Sequence, residues 1–147
     1  MTPTLNGRIQ TRVLVLGVIG FLVAAVLTPL LPMGRLSVEQ GYRVTLTVLI
    51  AVILVGVGWE LLYHGLQQFR WDKDWPTLFG LVTIVNEGLL MWMLVRYTAI
   101  VLPRNLRPGA LAFLIDFTLT WLVFWMFVNG PIRVLLPRWR YNGGRVI

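Results

Sequence analysis

The sequence contains no cysteine and one histidine, and charged residues fill only 13% of its 147 positions. Without cysteine there is no disulfide, thiolate zinc site, iron–sulfur cluster, thiol redox couple or S-acyl anchor. One histidine is too few for haem held between two histidines of this chain. A soluble domain carries about 25% charged residues; with so few to cover a surface, a water-soluble globular enzyme is excluded as well. Internal repeats and low-complexity linkers are also lacking. The length suits a single domain over residues 1–147.

What the chain has in quantity is apolar side chains, 57% of the total, with a mean hydropathy of +0.75. A helix needs about 20 mostly apolar residues to cross roughly 30 Å of hydrocarbon. Residues 13–34, between Arg12 and Arg35, carry no charge and form the first predicted span. The second covers 44–64 and closes on Glu60 and His64. The third covers 76–102, opening at Pro76 and interrupted by Glu87 and Arg96. The fourth covers 110–128, with Asp116 near its start and Asn129-Gly130-Pro131 as its stop. Barrel strands would be about 10 residues long and alternating, which these segments are not. The predicted fold is an all-α membrane protein, an antiparallel bundle of four transmembrane helices.

Basic residues set the orientation. Arg8, Arg12, Arg70, Lys73, Arg133, Arg138, Arg140 and Arg145 fall on one side, and Arg35, Arg43, Arg104 and Arg107 on the other. Both termini are therefore expected in the cytoplasm. The first apolar run exceeds the 7–15 residues of a cleavable signal core, so it reads as retained, in a bacterial or archaeal plasma membrane by default. A net charge of +7 raises nucleic acid as a partner. The charges sit at span ends, however, where they set topology and meet anionic lipid, so the lipid bilayer is the expected partner and nucleic acid is not. The tail 131–147 alternates apolar residues with arginines and is expected in the cytoplasmic interface.

Ionisable residues at membrane depth are costly unless paired. At about 1.5 Å of rise per residue, Arg96 lies roughly 10 Å and Asp116 roughly 12 Å below the outer surface. Their helices are joined by a short connection from Pro103 to Pro108, so the two are expected to pair as an interhelical salt bridge. Glu60 and Glu87 share a second level, about 25 Å from the outer side. His64 projects from the same helix face as Glu60, Asn86 adjoins Glu87, and Thr83 lies one turn away. Beyond span two, Asp72 and Asp74 flank Lys73 between Trp71 and Trp75. Asp74 suits a helix cap, and Asp-x-Asp alone is a weak metal signal.

Glu60, His64, Asn86 and Glu87, with Asp72 and Asp74, are the candidate cation- or partner-binding residues. The cluster admits three readings: a polar clamp or docking face, a proton or cation site, and a metal site. A di-iron centre needs four carboxylates and two histidines in paired motifs, which are missing; no metal ligand set, cofactor or catalytic residue is assigned. Small residues at Gly20, Ala24 and Thr28, and at Gly80 and Gly88, mark close helix contacts. Pro29 and Pro32 are expected to fray the outer end of span one. Trp92, Trp121, Phe124, Trp125 and Met126 form an aromatic band read as bundle core or lipid contact.

The expected function is a small integral membrane subunit that anchors or assembles with partner membrane proteins or its own copies, without chemistry of its own. The alternatives are an oligomeric transporter or channel coupled to protons or cations through Glu60, His64 and Glu87, and a metal-dependent enzyme acting on lipid head groups.

Overall fold

The computed structural model describes residues 4–69 and 77–145, the side chains of 77–79 and 140 excepted, and every regular element among them is a helix. The first rod is built from α1 (Leu5–Val15), a π turn (Leu16–Gly20), α2 (Phe21–Leu27) and a 3-10 turn (Thr28–Leu30). It is followed by α3 (Val38–Gln68), α4 (Thr77–Tyr97), α5 (Ala110–Asn129), α6 (Pro131–Leu135) and α7 (Pro137–Tyr141). Three stretches, Leu5–Leu30, Val38–Gln68 and Ala110–Leu135, are long and apolar enough to cross a membrane.

Local chemistry explains most of the boundaries. Thr4 caps α1 by accepting a hydrogen bond from the Gly7 amide at 3.2 Å. Ser37 and Gln40 close a reciprocal capping box at the start of α3. The α3 helix therefore begins six residues ahead of the predicted span at 44 and runs on to Gln68. Pro29 removes an amide from the ladder, and the rod tightens to its 3-10 turn and ends at Leu30, short of the predicted 34. At its other end the rod begins at Leu5 rather than 13, passing through both Arg8 and Arg12. α4 ends at Tyr97, ahead of the predicted 102. There Thr98 donates its hydroxyl to the Leu94 carbonyl, and Arg107 donates to the Thr98 carbonyl at 2.7 Å, which satisfies backbone oxygens that the helix leaves open. Gly130, at φ −115° and ψ −93°, breaks α5 from α6 at the predicted stop.

The rods pack around a core of Leu16, Val44, Val48, Val52, Met91, Val95, Phe113, Phe117 and Trp121. In lipid such contact is stabilised by close packing rather than by removal from water. The small-residue stripe makes that approach possible. Gly20, Ala24 and Thr28 are all buried, and a Cβ on Gly20 would lie 2.9 Å from the Leu49 side chain. Thr28 and Thr45 share a buried 2.8 Å hydrogen bond between α3 and the first rod. Gly88 plays the same part on α4, against Phe117 of α5. Large apolar side chains such as Leu54, Val26 and Leu111 face outward.

The tail folds back rather than leaving the bundle. Ile132 and Gly144 are buried, and Gly143 and Gly144 both take positive φ, +62° and +83°. The turn they make brings the Gly143 carbonyl to the Thr4 amide at 2.7 Å and packs residues 143–144 against Gly7. A side chain at Gly7 would overlap the Gly143 carbonyl, so glycine is required on both surfaces of the contact.

Candidate functional site

The strongest concentration of polar chemistry is where α1, α3, α4 and α5 meet. Arg12 of α1 is only 3% exposed. Its Nη1 and Nη2 donate to Glu87 Oε2 and Oε1 of α4 at 2.9 and 2.8 Å, a bidentate fork, and its Nε donates to Glu60 Oε1 of α3 at 3.2 Å. The guanidinium also lies over the Phe124 ring of α5, 5.8 Å from its centroid. One turn nearer the N-terminus, Arg8 lies 3.6 Å from Glu60 Oε2 and donates from Nη2 to His64 Nδ1 at 3.2 Å. Arginine has no acceptor, so this bond requires His64 Nδ1 to carry no proton.

The arrangement follows from matched spacing on antiparallel helices. Gly56, Glu60 and His64 recur every fourth residue on one face of α3, and Arg8 and Arg12 are four apart on α1. Arg12 lies over Gly56 and meets Glu60, while Arg8 meets Glu60 and His64. Gly56 leaves room for the guanidinium, which occupies the place a Cβ would take. The two arginines and two carboxylates balance in charge. Taking a carboxylate or guanidinium out of water costs several kcal/mol per ion, and only mutual pairing with good geometry offsets it.

The folded-back tail is bonded to α1, the helix that carries both arginines of this cluster. Trp139 of α7 donates its indole N–H to the Thr11 hydroxyl at 2.7 Å, and that hydroxyl donates to the Gly144 carbonyl at 3.0 Å. Thr11 is next in sequence to Arg12 and is itself buried. The tail is thus joined to the helix carrying the central arginine.

Of the residues singled out in the sequence, Glu60, His64 and Glu87 are brought together. Asn86 is exposed and lies outside the cluster's hydrogen bonds. Asp72 and Asp74 lie outside the described residues. Arg8 and Arg12, counted from the sequence only as topology-setting charges, are the cluster's cations. Their signal was the four-residue spacing shared with Glu60 and His64. Among the described residues, no group of three or more His, Asp or Glu side chains is placed to hold a metal ion.

The predicted Arg96–Asp116 pair is not formed. The ion pairs among the described residues are Arg8–Glu60, Arg12–Glu60, Arg12–Glu87 and the surface pair Arg43–Glu39. Matching depth does not fix direction around a helix, and each residue turns the side chain by about 100°. Val95 is fully buried and Arg96, the next residue, is exposed, whereas Asp116 shares the inward face of α5 with Phe113, Phe117 and Thr120. Arg96→Gln is accordingly expected to change stability by less than about 0.5 kcal/mol in a thermal or detergent-denaturation assay. A loss of several kcal/mol would restore the ion-pair interpretation.

The aromatic band divides in the same way. Trp121 is buried and makes an edge contact with Phe124 at 6.3 Å, Trp92 packs on Phe113 at 5.2 Å, and Met126 is exposed. The chain matches no protein-family model, no curated protein and no solved structure.

Proposed function

We propose that this protein is an integral membrane subunit that anchors or assembles with partner proteins, the Arg8–Arg12–Glu60–Glu87 cluster serving as its internal lock. The observation that carries this reading is that both carboxylates of the cluster are taken up by arginines of the same chain. A cation carrier needs a carboxylate free to bind its ion. Here Glu87 is only 2% exposed and gives both oxygens to one guanidinium. The geometry therefore lends its support to a clamp that fixes the register of α1, α3 and α4, and less to transport or metal chemistry at these residues.

In this reading α4 is a fourth span, since 21 helical residues reach about 32 Å. Both ends of the chain lie on one side, supported by the Thr4–Gly143 hydrogen bond. Arg133, Arg138 and Arg145 are exposed near that end, which favours the cytoplasmic face of a plasma membrane. Partners would meet Asp72 and Asp74, which lie outside the described residues, and the exposed arginines of the tail. Residues 138–147 cannot be removed to test this, because Trp139, Gly143 and Gly144 hold α1.

The test is purification from the native membrane in mild detergent, comparing wild type with an Asp72→Asn, Asp74→Asn double variant and with Arg138→Gln. The expected result is a stoichiometric protein partner that is lost from at least one variant while that variant still elutes as a folded species. Partner-free protein, or a proton- or cation-dependent flux in vesicles abolished by Glu87→Gln in a folded protein, would overturn the assembly reading.

A further inference from the structure

Asp116 stands apart from the ion cluster. It is 7% exposed, and its Oδ1 is buried without a hydrogen-bond partner. The side chain lines a cavity of about 10 Å³ between the π turn, α2, α3 and α5, walled by Leu16, Thr45, Leu49, Phe117, Thr120 and Trp121. That volume is about what one water molecule requires. We infer that this cavity is a proton-binding site in which Asp116 takes up and releases one proton, with room for one water beside it.

The surroundings select the ligand. From the first rod the cavity receives Leu16 and Ala24, and from α3 it receives Thr45, Val48, Leu49 and Val52, none of them titratable. On α4, Glu87 is held by Arg12 and Arg96 is exposed. On α1, Arg8 and Arg12 are committed to Glu60 and Glu87. No cation of the described residues thus neutralises Asp116, and an ionised carboxylate left unpaired at membrane depth is costly. A metal ion is a poor fit. Hard divalent cations take six or more oxygen ligands, whereas the wall offers only two hydroxyls besides the carboxylate. One of these, on Thr45, is already engaged with Thr28 and the Gly41 carbonyl. A proton needs one oxygen. The π turn supplies a second, independent mark, since such wide turns are rare and concentrate at functional sites. It places Leu16 and Gly20 against this part of the bundle, where Gly20 approaches Thr120 and Leu49.

The site goes beyond the assembly reading and does not depend on it. Bound, the proton makes Asp116 a neutral acid able to donate; released, it leaves a carboxylate in a mostly apolar wall, beside the Thr45 and Thr120 hydroxyls and the Trp121 indole, that would draw water or loosen the α5 contact. The bundle thereby acquires a group through which proton concentration acts on helix packing.

Infrared difference spectroscopy of the full-length protein in liposomes tests this directly. In wild type, a protonated-carboxyl C=O band is expected near neutral pH, moving to lower frequency in D2O and disappearing as pH is raised. Asp116→Asn, of nearly the same shape, should abolish the band while the protein still elutes as a folded species. Absence of the band, a band that ignores D2O, or a band that survives in the folded variant would each overturn the proposal. The first two measurements use wild type alone, so they decide the matter even if the variant does not fold. They are also independent of whether a protein partner is found.

Discussion

Truncating Glu87 to alanine is expected to cost about 3–5 kcal/mol of folding stability, because it leaves the Arg12 guanidinium buried with its two terminal nitrogens unpaired. At about 1.4 kcal/mol per tenfold, that lowers the folded-to-unfolded ratio by roughly two to three and a half orders of magnitude. Glu60 cannot take over, since it already receives the Arg12 Nε at 3.2 Å and lies 3.6 Å from Arg8. Equilibrium unfolding in mixed micelles measures the loss. The double change Arg12→Leu, Glu87→Leu should cost much less than the sum of its parts, because no buried charge is then stranded and Glu60 retains Arg8. Costs that simply add would mean that the two side chains do not act as a pair. A Glu87→Ala loss below about 1 kcal/mol would mean that water or another group reaches Arg12 freely.

Gly56→Ala should do comparable damage through a single methyl group. Its Cβ would overlap the Arg12 Nη1 and lie 2.7 and 2.8 Å from Cζ and Cδ. The far end of an arginine can usually swing aside, but this one is held by three hydrogen bonds to two carboxylates. Either α1 and α3 separate or the guanidinium leaves its partners, and both routes strand buried charge. The controls lie on the same helix. Gly58 and Gly65 have open space where a Cβ would go, so Gly58→Ala and Gly65→Ala should be neutral or stabilising by up to about 1 kcal/mol, as alanine is the better helix former. If all three substitutions behave alike in the same unfolding assay, Gly56 is not the seat of Arg12.

The two experiments separate the cluster's structural role from chemistry. A lock fails when either its charges or its space is disturbed. The tail contact belongs to the same unit, because the Thr11 hydroxyl that receives Trp139 adjoins Arg12 in sequence. Arg138 and Arg145 are exposed on that same segment.

The amino-acid sequence by itself determined that the chain is helical and apolar enough for a membrane, and roughly where three of its long helices lie. Those properties are local: uncharged runs of helical length, a backbone that satisfies itself only as a helix in lipid, and prolines and glycines at the ends. It also marked Glu60, His64 and Glu87, because depth follows from a simple count along the helix axis. Tertiary structure decided which charges meet. Partnership depends on direction around each helix and on register between helices. These placed Arg12 over Gly56 and between two glutamates, turned Arg96 outward, and left Asp116 facing a cavity. The apparent end of the first span moved for the same reason. An arginine ends an apolar helix in an isolated sequence, yet continues it where neighbouring helices supply carboxylates at the right height.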